Sequence, residues 1–406
     1  MIKTGIDIIE IERFSKMENL DAFIKRAFTR EESQYFAQKK NSFESIAGFF
    51  AAKEAFSKFM GTGFRGFGFK DIEVFHDDLG KPHIKFMGNP VDVDLSISHS
   101  DTVAAAVVCG VAPVMDGTKA ELIKSYKALL PIRHSDMHKG DCGRLFILAG
   151  SLGMTGAAVL TALGALRSGC GLVTVGTPKS QQPVLAVKLT EAMTMALSEN
   201  DGFIAEESYS DVLDKISHSD ACVIGPGLGK TKNLTNLIED IFTTDCRLLI
   251  DADGINALSE NINILTQSHK DIVLTPHPGE MSRLTGLSIE EIQSNREAVA
   301  VQFAKKYNVT LLLKGKDTVI ASPRGEMHIN PTGNSGMATG GMGDVLSGII
   351  GSFMAQGLDG YKSAILGAFV HGLAGDLAVE EIGEFGLIAT DLVDAVPKAI
   401  LGILKV

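Results

Sequence analysis

Cationic residues are the minority in this 406-residue chain, with 38 Lys and Arg against 49 Asp and Glu and a formal net charge of −11. That sign excludes wholesale binding to nucleic acid or to an anionic membrane, and leaves small-molecule chemistry as the expected class. Paired cysteines are also missing. Cys109, Cys142, Cys170, Cys222 and Cys246 are odd in number, scattered and without a CxxC pair, which is the usage of a reducing compartment. No apolar run reaches the ~18 residues of a bilayer span, and the opening MIKTGIDIIEIERF meets acids and an Arg too early for a signal-peptide core. The cytoplasm is the expected location. Long polar tracts, repeats and low-complexity linkers are absent too, so a composition of 45% hydrophobic and 21% charged residues reads as globular.

What is present falls into two regimes. Of 21 Phe, 14 lie in residues 1–112, whereas 34 of 43 Gly lie after them. Two domains are therefore expected, residues 1–112 and 113–406, with the break near Pro113. After it, DGTKAELIKSYKALLP reads as a short amphipathic helix ended by Pro131. The first domain reads as α+β: a strand over residues 3–11, a capping box of Thr29 and Glu32 that starts a helix, a longer helix over 42–60, and short strands to residue 109. The second alternates apolar strands (RLFILAG, LVTVG, ACVIG, RLLID, DIVLT, TLLLKG) with helices, one of them near 289–307, and closes with three long helices. That pattern predicts an α/β domain, a mostly parallel sheet covered by helices on both faces, whose ligands bind beyond the carboxyl ends of the strands.

Two groups of residues carry chemistry. In the first domain Asp7 interrupts an apolar strand, so it either faces solvent or is kept for a site. Glu54 and Lys58, four apart in FFAAKEAFSKFMGTG, share a helix face that pairs a ligand for a hard cation with a cation for phosphate. Gly61, Thr62 and Gly63 follow, offering backbone amides. Together GIDIIEIER, FAAKEAFSKFMGTG and LSISHS resemble the holo-acyl-carrier-protein synthases, which are phosphopantetheinyl transferases. The resemblance spans nearly all of residues 1–112. It implies transfer of 4′-phosphopantetheine from coenzyme A to a serine of an apo acyl carrier protein, with Asp7 and Glu54 catalytic through Mg²⁺ and Lys58 and His99 on coenzyme A phosphates. The chain departs from the pattern at Phe49, where relatives often carry Arg, so one phosphate or carrier contact is expected to be missing or replaced. Arg13, Lys25 and Arg26 form either a basic edge for an acidic carrier protein or a solvated helix face. His76 and His83, outside any motif, are assigned to the surface.

In the second domain NPTGNSGMATGGMGDVLSGIIGSFM leads glycines 340, 341 and 343 directly into an apolar helix, whose free amides and positive end suit an anion. Asp344 in its first turn is favoured as a catalytic base over a plain helix-end carboxylate. Lys314, Gly315, Lys316, Asp317 and Thr318 follow a strand and offer amides and a hydroxyl. Gly225 and Gly227 end another strand where absent side chains leave backbone open to a flat substrate, and two prolines fix His277 at the sheet edge. Asp251 and Asp253 read equally as metal ligands or helix caps. With HKGDCGRLFILAGSLGMTGAAVLTALGALRSG, these motifs resemble the ADP-dependent NAD(P)H-hydrate dehydratases, which have the ribokinase-like fold.

This second resemblance covers roughly residues 119–400. It implies that hydrated NADH or NADPH is phosphorylated by ADP on its ring hydroxyl and then loses phosphate. Ala157, Gly225, Gly227 and His277 would line the dinucleotide. Lys314 to Thr318 and Gly343 would hold the adenine nucleotide, with Asp344 as base. A sugar, vitamin or pyrimidine kinase is the alternative for this domain, and a carrier-protein docking module the alternative for the first. Relatives imply homo-oligomers, trimers for one domain and tetramers or larger for the other. No motif crosses the boundary, so the two sites are expected to work independently.

Overall fold

The structure, a computed structural model, describes residues 2–405 apart from 18, 62, 63, 65, 66, 78, 87, 112–122 and 268–270. The expected start of the linker helix, and Thr62 and Gly63, lie outside the described residues. The chain divides into two compact units, Met1–Ala120 and Glu121–Val406.

In the first unit the strand Ile2–Glu10 pairs antiparallel with Val103–Val111, which also pairs with Val93–His99. The helix Phe43–Met60 lies across this sheet, started by the Ser42 side chain accepting from the Ser45 amide and ended at Gly61 with φ +78°, where only glycine is unstrained. A second small sheet joins Ile72–His76, Pro82–Phe86 and Asn89–Pro90. The capping box read from the sequence is present: Thr29 accepts from the Glu32 amide while the Glu32 carboxylate accepts from the Thr29 amide.

Glu32 does more than cap. Its other oxygen accepts the Val74 amide at 2.8 Å, and its carboxylate meets Lys53 Nζ at 2.7 Å with both side chains fully buried. Phe49, expected to mark a lost polar contact, packs its buried ring on Tyr35 and against Phe36 and His76. His76 is thereby half-buried rather than a surface residue, stacked on Tyr35. His83 is also half-buried, 3.0 Å from Asp77.

The second unit is built on a nine-stranded sheet. From Thr310–Leu313 through Ile272–Leu274, Arg247–Ile250, Ala221–Ile224, Arg144–Leu148 and Leu172–Pro178 to Met193–Leu197 the strands are parallel, and an antiparallel pair, Val319–Ala321 and Met327–Ile329, extends one edge. Alternate residues serve opposite cores: Phe146, Leu148, Cys222 and Ile224 face one layer, Leu145, Ile147, Ala221 and Val223 the other. Both faces are buried, which is why these strands are apolar throughout.

Edge strands Met193–Leu197 and Met327–Ile329, with partly exposed residues, carry no such run and escape the sequence reading. The single helix expected near 289–307 is two, Ile289–Ser294 and Arg296–Tyr307, broken at Asn295. By length and composition the helix Gly360–Ile382 could cross a membrane, but its apolar side chains Leu366, Phe369 and Val370 are buried in a core shared with Met342–Ala355 and Ala389–Leu404. A side chain at Gly348 would strike the Thr161 carbonyl, and one at Gly164 the Val345 carbonyl. These glycines let Thr155–Arg167 pack tightly on Met342–Ala355, fixing the helix that carries Asp344.

Candidate active sites

Two separate groups of side chains form, one in each unit. In the first, Asp7 faces the long helix while its neighbours Ile6 and Ile8 are exposed, the reverse of what an alternating strand on a core would give. Lys58 Nζ meets Asp7 Oδ1 at 2.8 Å. Burial, then the charge of Asp7, pushes the Glu54 carboxyl above its usual range. Two carboxylates that repel each other at the end of a helix face suit a hard cation. Among the described residues no group of three or more His, Cys, Asp or Glu converges, so such an ion would take its other ligands from water and substrate oxygens, as Mg²⁺ commonly does.

His99 is not part of this cluster. It lies two strands across from Asp7 and two residues further along, about 12 Å between α-carbons. A ligand touching both would have to be as extended as a nucleotide cofactor.

In the second unit the loops after four neighbouring parallel strands meet the start of Met342–Ala355. Gly341, with φ +90°, precedes that helix, and a side chain at Gly340 would enter open space. The first-turn amides are thus reachable. Asp344 lies in the first turn of this helix. Burial first, then the charge of Asp251, pushes its carboxyl from 3.8 to about 7, the range in which a carboxylate is an effective base at neutral pH.

Lys314 sends its ammonium inward, 2.7 Å from Asp251 Oδ1 and 3.9 Å from Glu280 Oε2, and a side chain on Gly343 would come 3.4 Å from it. Burial opposes its charge, but Asp251 and Glu280 outweigh burial and hold it above the usual lysine value. The other Asp251 oxygen accepts the Ser347 hydroxyl at 2.8 Å, and Asp251 makes no side-chain cap bond. Asp251 is therefore the anchor of Lys314 and does not cap the helix that follows it. Asp253 accepts the Gly229 amide at 2.8 Å, tying the glycine loop to the next strand's loop.

The remaining predicted residues are placed as follows. Lys316 and Asp317 are exposed, and the Thr318 hydroxyl donates to the Gly315 carbonyl within its own loop. His277 starts Pro278–Thr285, its Nδ1 accepting the Gly279 amide at 2.9 Å. Burial, then nearby Lys314, lowers its pKa, so it is neutral at pH 7. Glycine is required at both positions on the Cβ side: a side chain would strike the Asp251 carbonyl at Gly225 and Ala157 at Gly227.

Sequence reasoning left Glu280 unassigned although it follows His277 by three residues in TPHPGE, and missed Ser347 and Arg296. Arg296 donates to the Leu313 and Lys314 carbonyls and braces the loop, with no motif to announce it.

A desolvated carboxylate, an inward ammonium and a glycine-led helix start lie at the carboxyl edge of a mostly parallel sheet, and the domain has the ribokinase-like fold. A ribokinase-like superfamily protein of Enterococcus faecalis aligns with TM-score 0.61 and 28% identity over 70% of this chain and 95% of its own. Residues 145–398 match the family model for NAD(P)H-hydrate dehydratase, and the chain belongs to that family. Residues 3–112 match the 4′-phosphopantetheinyl transferase superfamily.

The bifunctional NAD(P)H-hydrate repair enzyme of Moorella thermoacetica is 43% identical over 67% of this chain and 52% of its own length. The chain thus spans about half of that relative. The ADP/ATP-dependent NAD(P)H-hydrate dehydratase of Bacillus subtilis, crystallised with ATP and Mg²⁺, aligns with TM-score 0.60 and 32% identity over 69% of this chain and 97% of its own.

Proposed function

We propose that the chain is a bifunctional enzyme: residues 113–406 restore NADH and NADPH from their hydrates using ADP, and residues 1–112 transfer 4′-phosphopantetheine from coenzyme A to an apo acyl carrier protein. The observation that carries the first reading is Asp344, with a carboxyl near pH 7, set at reachable helix amides beside Lys314. Hydroxide leaves poorly. Asp344 takes the ring hydroxyl's proton as that oxygen attacks the β-phosphorus of ADP, and AMP departs. The helix amides and Lys314 meet the charge on the phosphoryl oxygens. Ring-nitrogen electrons then expel phosphate, and loss of a proton from the adjacent carbon restores the double bond. Hydrated NADH with ADP should recover reduced-nicotinamide absorbance, releasing AMP and phosphate. ATP supporting turnover with ADP inert would reject the ADP assignment, and silence with both would reject the reading.

In the first unit Asp7 and Glu54 would hold Mg²⁺, which supplies charge neutralisation on the coenzyme A pyrophosphate. Lys58, 2.8 Å from Asp7 Oδ1, would bind a phosphate oxygen once released from that carboxylate. The exposed Lys25 and Arg26, on a helix that buries Ile24 and Ala27, support docking of an acidic carrier protein. Asp7→Ala or Glu54→Ala should abolish Mg²⁺-dependent modification of an apo carrier protein, each leaving the ion one anionic ligand short. Modification by both variants at the normal Mg²⁺ optimum would remove the metal assignment.

Ile6 and Ile8, 54% and 63% exposed beside Val103, support a homo-oligomer formed through this sheet face. A monomer in sedimentation would contradict that assembly. All five cysteines are free thiols, which supports a cytoplasmic location.

A further inference from the structure

A cleft of about 340 Å³ opens beside the glycine loop, and nothing so far described uses it. Its walls follow three adjacent strands: Lys230, Thr231 and Lys232 come after Ala221–Ile224, Asp253 and Asn256 after Arg247–Ile250, and Arg283 after Ile272–Leu274. The loop Lys314 to Thr318 follows the next strand in the same order. The proposed ADP loop and this cleft thus occupy different stretches of the sheet edge, with Asp253 linking the cleft to the base: its charge is among those that raise the Asp344 carboxyl.

The chemistry of the lining favours an anion. Of the two carboxylates, Asp253 is taken by the Gly229 amide and Asn256, and Glu260 by the Thr235 hydroxyl. Among the described residues Arg283 is held by its Nε, 2.7 Å from Asn256 Oδ1, which leaves its terminal nitrogens as paired donors. Among the described residues no carboxylate pairs with Lys230 or Lys232. The volume falls within the range of small-molecule pockets; it has room for a ribose with its phosphates and too little for a whole dinucleotide.

We propose that this cleft receives the phosphate-bearing part of the hydrated dinucleotide remote from the nicotinamide, with Lys230, Lys232 and Arg283 on its phosphate oxygens. The proposal rests on the dehydratase reading, so its test has a binding arm that needs no turnover.

The variant is the exposed double substitution Lys230→Ser with Lys232→Ser in the full chain. Its KM for the hydrate should rise about tenfold or more, since a charge-assisted contact is commonly worth that much. Both kcat and the KM for ADP should stay within twofold. A rise confined to hydrated NADPH places the 2′-phosphate in the cleft, and a rise for both hydrates places the pyrophosphate there. In the second arm, adenosine 2′,5′-bisphosphate should bind the wild type and lose about tenfold affinity in the variant. Binding lost in the variant while the wild type turns over neither hydrate would sink the dehydratase reading and keep the anion cleft. Unchanged affinity and unchanged KM for both hydrates, or a raised KM for ADP alone, would overturn the cleft assignment.

Discussion

Asp344→Asn should lower dehydratase turnover by about 10²- to 10⁴-fold and, at the same time, make the protein more stable above neutral pH. The first effect follows from the proton: Asn keeps the shape but cannot accept it. For the same reason wild-type kcat/KM should fall on the acid side of about pH 7, where the desolvated carboxyl becomes protonated. The second effect follows from linkage. The folded carboxyl titrates near 7 and the unfolded one near 3.8, so the native state binds the extra proton between those values. Stability therefore falls as pH rises through that window, and the full cost is present above it.

A rise of that size corresponds to roughly 4 kcal/mol. The helix N-terminus favours the carboxylate, so a gain on the order of 2 kcal/mol is expected for the variant at pH 8, vanishing near pH 3. Near-normal turnover in a folded Asp344→Asn protein would reject Asp344 as base. A stability difference independent of pH would reject its desolvated setting.

Lys53→Ala should unfold the first unit's core more severely than any surface change there, by about 3–5 kcal/mol. Lys53 Nζ donates to the Phe69 and Ile72 carbonyls and to Glu32, using all three of its protons. Burial drives the Lys53 pKa down and the Glu32 pKa up, each opposed by the other's charge. Removing the ammonium leaves the Glu32 carboxylate without its countercharge and two carbonyls without that donor in a site closed to water. Amide exchange should show the result as lost protection across Ile72–His76, whose Val74 amide is held by Glu32. Lys53→Ala protection equal to wild type would mean the pair contributes nothing. Lys53→Met with Glu32→Gln should recover part of the loss, because the buried charge is gone while Gln can still accept an amide.

Much of this was written locally. The Thr29 and Glu32 capping box, the Ser42-capped helix and the apolar parallel strands were legible because each depends on a period or on residues three or four apart. Asp344 was legible because its glycines adjoin it in the chain. Other assignments failed or stayed open for one reason, that their partners are distant in sequence. Asp251 gave no sign that Lys314 and Ser347 would sit on its oxygens, 63 and 96 residues away. That Gly225 also makes room for the Asp251 carbonyl, 26 residues on, could not be read locally.

The sequence alone determined the two composition regimes, the helix starts and the residue types able to do phosphoryl chemistry, all of which follow from local backbone preference and side-chain charge. Only the tertiary structure decided which carboxylate holds Lys314, that Asp344 titrates near neutrality and that Asp7 turns inward while Ile6 and Ile8 turn out. Those facts depend on desolvation and on charges brought together across the sheet, and neither exists until the chain has folded.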